Sequence, residues 1–208
     1  MNPQNFNSNL EIINWILTSV IEGISPLLSP EAEANKYLND SSYANNDERV
    51  SAVINLYSTG SFCSGFITGL GETWTLPFTI PTSLAASCIL QARLAVIIVV
   101  IYGHDLKDDK VKTLVALSMI GDSAKEVLKQ SGVRLSSKLT TNLIAQIPSQ
   151  LLMEINKRVG FHLISRTGNN VLISLMKIVP LAGGIVTGSF DAFSCQIVGN
   201  TAKNIFKQ

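Results

Sequence analysis

From Leu10 onward, Ile13, Ile16, Leu17, Val20, Ile21 and Ile24 return at helical spacing, with Asn14, Thr18 and Glu22 on the other face. This pattern predicts an amphipathic helix stopped by Gly23 and Pro26. Ser29 then precedes Pro30, Glu31 and Glu33, the order expected of a capping serine, a proline at the first helical position and acids at the positive end of the helix dipole. A short helix to about Leu38 follows. After the polar connector "NDSSYANNDE", Asn46, Asp47 and Glu48 can cap a helix through Val50, Val53, Ile54 and Tyr57.

Pro81 can start a long helix through "TSLAASCILQARLAVIIVVIY", ended by Gly103. Asp108 or Asp109 caps the next, through Val111, Leu114, Val115, Leu117 and Met119. Asp122 or Ser123 caps "SAKEVLKQ", which Gly132 closes. A stripe from Leu139 to Val159 predicts a further helix that Pro148 must kink or divide and Gly168 ends. The tail from Val171 is apolar and rich in small residues, with a break at Pro180. No run alternates long enough for a strand, so the expectation is an all-α fold, with residues 1–9 a disordered arm and 10–208 one helical domain.

Residues 84–102 approach the roughly 20 needed to span a bilayer core. Their Leu, Ile and Val content contributes about −3 to −6 kcal/mol on an insertion scale, and Arg93 costs about 2.5 to 3.5. Gln91 and the serines add to that cost, so spanning is not compelled; the alternative is a buried core helix whose Arg93 reaches the surface or pairs with an acid.

The stretch "GLGETWTLPFTIP" lacks the lysine and Ser/Thr of a phosphate loop, and Trp74 occupies the place of the third glycine of a dinucleotide fingerprint. Gly65 with Gly69, and Gly184 with Gly188, make two GxxxG patterns of the kind that lets helices approach closely. The expectation is a helix-breaking hinge packed against "VPLAGGIVTG". In it Gly69, Gly71, Gly184 and Gly188 permit the approach, and Pro77 and Pro81 aim the long helix.

Composition adds a bias. The 208 residues are 46% hydrophobic and only 15% charged, against about 25% charged in an ordinary soluble domain. Net charge is +1, with no basic footprint for nucleic acid. Cys63, Cys88 and Cys195 are odd in number and far apart, which fits buried thiols in a reducing compartment. No basic residue precedes the first apolar run, so the expected location is cytoplasmic, with peripheral attachment to, or partial insertion in, the inner membrane as the open variant.

Candidate chemistry is sparse. Zinc motifs and G-x-S-x-G are absent from the sequence, so no catalytic residue, metal ligand or cofactor is assigned. His104, beside Asp105, reads as capping or solvated, and His162 as a boundary residue. Asp191 is costly to bury unpaired. Arg93 is its candidate partner, and such an ion pair would fix the register between the long helix and the tail.

Several segments together resemble the EcsC family of bacterial proteins over about residues 49–206. They are G-L-G followed by L-P-x-x-x-P, Tyr102-Gly103 with Asp105, V-P-x-x-G-G, and G-x-F-D at Gly188 to Asp191. Glu72 and Trp74 stand where that family commonly has small or aliphatic residues. The resemblance implies a hydrophobic, mainly helical protein linked to an ABC transporter, with no implied reaction. The leading expectation is a non-enzymatic, membrane-associated protein that assists a transporter or other envelope process, with membrane lipid or a membrane protein as partner. The alternatives are a carrier of a lipid-like apolar ligand and a hydrolase. Oligomeric state is left open.

Overall fold

The computed structural model describes residues 9–23, 29–59, 82–130, 147–167 and 183–207. These form eight helices and no strand, as the periodicity requires. They are α1 (Asn9–Glu22), α2 (Pro30–Leu38), α3 (Asn46–Tyr57), α4 (Thr82–Ile101), α5 (Asp109–Met119), α6 (Ser123–Gln130), α7 (Ser149–Thr167) and α8 (Gly183–Phe206).

The ends follow the capping chemistry. Ser29 accepts from the Ala32 amide at 3.1 Å, and Asp108 accepts from that of Lys110 at 2.8 Å. Asn45, one residue ahead of the expected caps, accepts from the Glu48 amide at 3.0 Å. At the end of α4, Gly103 takes φ 77°, its amide reaches the Val100 carbonyl, and the His104 amide reaches that of Val99. That pair of bonds is a Schellman stop, which glycine enters without strain. Pro148 lies just ahead of α7 rather than inside it, and its carbonyl accepts from the amides of Leu151 and Leu152; residues 131–146, which hold the start of the expected stripe, lie outside the described residues. Asn9 of the expected arm is helical, and residues 1–8 lie outside the described residues.

Helix α4 is the axis of the molecule. From Ala86 to Ile101 every residue is buried except Cys88 and Val100, which are half-buried. The cover is protein: α1, α2, α3, α5 and α8 all pack directly on α4, and α7 closes the outside against α1, α5 and α6. A helix apolar on every face has to be enclosed, by lipid or by other helices, and here the enclosure is helical. Among the described residues no helix is long and apolar enough to cross a membrane.

Contacts at two levels fix the directions. Tyr57 meets Arg93 and Asp47 meets Tyr102, so α3 runs antiparallel to α4. Ser51 meets Lys203 and Ile54 abuts Gly199, so α3 also runs antiparallel to α8. The C-termini of α4 and α8 therefore lie with the N-terminus of α3 at one end of the bundle. Their N-termini run about 15–20 Å past the last turn of α3 at the other end, at 1.5 Å per residue.

Candidate functional site

Three places could carry function: a polar cluster in the core, a groove at one end of the bundle, and the opposite end. The core cluster grows from Arg93, whose side chain is 2% exposed. Its Nη2 donates to Glu33 Oε2 at 2.6 Å, and its Nε donates to the Tyr57 hydroxyl at 2.9 Å. That hydroxyl in turn donates to Glu33 at 3.0 Å. Burial, and then the charge of Glu33, push the Tyr57 phenol well above its ordinary pKa, so it stays protonated and bonds on both sides. Such a closed triangle offers no reacting atom to a substrate; it joins α2, α3 and α4.

Arg93 therefore behaves as the buried-core reading expects, paired with an acid, and that acid is Glu33. The Asp191 side chain lies outside the described residues, as do Gly69, Gly71, Pro77, Pro81 and the expected contact between the hinge and the tail. Gly184 and Gly188 are helical, in the first two turns of α8. Close approach at glycine does occur, at positions the sequence did not single out. A Cβ on Gly199 would lie 2.7 Å from Ile54 Cγ1, and one on Gly121 would lie 2.6 Å from Ile197 Cγ2. Gly199 was hidden because one glycine in "QIVGNTAK" makes no spaced pattern.

The groove has a volume of about 750 Å³ and lies where the N-terminus of α3 meets the C-termini of α4 and α8. Asp47 is its centre, accepting from the Tyr102 hydroxyl at 2.7 Å and from Lys207 Nζ. The bond from Lys207 is the main reason that the Asp47 carboxyl sits below its ordinary pKa; burial opposes it, and the bond from Tyr102 adds to the lowering. One turn away, Lys203 Nζ donates to Ser51 Oγ at 2.9 Å and to the Asp47 carbonyl at 3.3 Å. Tyr43, Asn45, Asn46, Glu48, Ala52 and Asn55 complete the lining. In the sequence Asp47 and Glu48 read only as caps; the meeting of Asp47 with Lys203 and Lys207 spans about 160 residues of chain and leaves no local signal.

His104 is buried rather than solvated. Its Nε2 lies 2.9 Å from the Phe206 carbonyl, and a carbonyl only accepts, so Nε2 carries the proton. The imidazole also meets the Phe206 ring edge-on, at 5.3 Å between centroids. It is a cap on the end of α8, which accounts for the residue without catalysis. Among the described residues no group of His, Cys, Asp or Glu could hold a metal ion.

The far end differs in charge. The chain leaves α3 at that end and re-enters it at Thr82 and at Gly183. Residues 60–81 carry one charged side chain, Glu72, and residues 168–182 carry one, Lys177. The first eleven residues of α4 and the first eight of α8 carry none. Glu22 and Glu31, on α1 and α2, and Asp191, the ninth residue of α8, are the nearby exceptions. At the groove end, by contrast, Asp47 and Glu48 share the lining with Lys203 and Lys207, and Asp105, Lys107 and Asp108 follow the C-terminus of α4. No family model, curated protein or solved structure matches the chain.

Proposed function

We propose that this is a non-enzymatic, membrane-associated helical protein that meets a bilayer, or a protein embedded in one, through its charge-poor end. The resemblance to the EcsC family directs this role to assisting or regulating a transporter or another envelope process. One observation carries the reading: charge is segregated along the axis shared by α3, α4 and α8. Scarcity of charge toward one end, with charge concentrated at the other, suits an interface between water and hydrocarbon, where binding scales with the apolar area removed from water. Phe193 is 65% exposed, on the part of α8 that runs past α3, and adds an apolar side chain on that side. With α4 sheathed by its neighbours, attachment is end-on and peripheral.

The two tryptophans provide the test. Trp74 lies in the charge-poor segment 60–81, and Trp15 packs against the core on α1. With vesicles of brominated-acyl phospholipid, the Trp15→Phe variant, which reports Trp74, should blue-shift and be quenched, and the Trp74→Phe variant should not. If neither tryptophan is quenched and the protein stays in the supernatant after vesicle sedimentation at low salt, the reading is overturned.

A further inference from the structure

The groove remains unaccounted for by attachment at the opposite end. We propose that it is a binding site for a neutral, hydroxyl-rich small molecule of the sugar or polyol class. Three properties of the lining point there.

The first is charge balance. Lys203, Lys207, Asp47 and Glu48 all line the groove, with Lys207 paired directly to Asp47, so two cations are matched by two carboxylates. A phosphate or carboxylate ligand would gain the lysines only by approaching Asp47 and Glu48, and a cation would meet the converse penalty. A neutral ligand meets neither.

The second is the mixture of donors and acceptors. The lysine ammonium groups and the amide nitrogens of Asn46 and Asn55 donate, while the Asp47 carboxylate and the amide oxygen of Asn55 accept. A sugar hydroxyl both donates and accepts, so a ring of hydroxyls can use the two kinds together, where an anion could use only one. Tyr43, which leans on Tyr37 with centroids 6.1 Å apart, adds aromatic surface of the kind that packs on the C–H face of a pyranose ring.

The third is preorganisation. Asp47 is held by Tyr102 and Lys207, Lys203 by Ser51, and Glu48 by the Ala44 amide at 2.8 Å. The polar groups are thus set before any ligand arrives, which removes part of the ordering cost of binding. A volume of about 750 Å³ falls within the range usual for small-molecule sites.

The test uses the full chain, labelled with ¹⁵N, and three neutral disaccharides: maltose, cellobiose and chitobiose. At least one should give saturable shifts confined to the backbone around Tyr43 to Asn55, Tyr102, and Lys203 to Lys207, at a concentration of about 10 mM, ten times the roughly 1 mM constant of a weak site. Asn55→Ala, at an exposed position, and Tyr43→Ala should each weaken that binding by about tenfold or more, equivalent to about 1.4 kcal/mol. Inorganic phosphate should neither shift those residues nor displace the sugar. If no disaccharide binds, if phosphate binds there in its place, or if Asn55→Ala, folded by circular dichroism, binds as before, the proposal is overturned. None of these outcomes bears on vesicle attachment at the other end.

Discussion

Two clasps of similar chemistry join α3 to α4, one inside the core and one in the groove. Each sets a tyrosine hydroxyl and a cation on one carboxylate, and each recruits a third helix. Glu33, Tyr57 and Arg93 bring in α2, and Asp47, Tyr102 and Lys207 bring in α8. They differ in burial and in the cation. Arg93 is 2% exposed, whereas Lys207 and Asp47 are 37% and 36% exposed. Arginine's planar fork serves Tyr57 and Glu33 at once from Nε and Nη2, a task a lysine point charge cannot share in the same way. The difference teaches that the inner clasp sets register, because its charges are out of water and intolerant of a lost partner. The outer clasp keeps contact with solvent, so salt, protons and ligands can act on it.

The largest effect should come from Arg93→Ala. Removing one member of a buried ion pair strands the other and costs about 3–5 kcal/mol; urea denaturation should show it, and Arg93→Lys should restore only part. A loss below about 1 kcal/mol would place this pair with ordinary surface ones and erase the contrast.

Next is Gly199→Ala, whose new Cβ would press on Ile54 where α8 crosses α3. Overpacking of this kind costs about 1–3 kcal/mol. Its spectroscopic signature should fall on Asp47 and Lys203, leaving the Arg93 side-chain resonances in place. In a double variant with Ile54→Ala, the combined loss should be less than the sum, as expected for touching residues.

The smallest effect should come from Lys207→Met, about 0.2–1 kcal/mol at low salt. It should vanish near 1 M salt, where the screening length falls to about 3 Å. The same variant probes pH. Because the folded state holds Asp47 below its ordinary value of 3.8, the unfolded chain takes up the proton first as pH falls. The outer clasp therefore contributes above that value and fades as pH drops through the folded one. Lys207→Met, which removes the main cause of the depression, should flatten this acid limb. In alkali the two clasps should fail together. Burial raises Tyr57 and Tyr102 above the ordinary value of 10.0, with Glu33 and Asp47 respectively reinforcing it. The unfolded chain then loses those protons first, and stability falls as pH rises past about 10. Thermal melts across the two pH ranges check both limbs.

Helix ends were the most legible feature of the sequence, because caps are local: Ser29, Asp108 and Gly103 act within a few residues of themselves. The partner of Arg93 was not legible. Glu33 read as a dipole acid at the start of α2, which it is, and the 60 residues between it and Arg93 hold nothing that says the two will meet. The groove was hidden for the same reason, since its centre joins residue 47 to residues 203 and 207. Glycine packing was anticipated as a mechanism; its described instances, Gly121 and Gly199, depend on which helix lies opposite, and spacing along one helix does not encode that.

The sheathing of α4 also has a consequence for synthesis. Its cover is completed by α8, which is made much later: roughly a hundred residues separate Ile101 from Phe206, about 5–20 s at usual elongation rates. During that interval the nascent chain displays an apolar segment nearly long enough to be taken for a membrane anchor, with Arg93 as its one charge. The arginine that later locks the finished bundle thus also lowers the chance that insertion machinery captures the unfinished one.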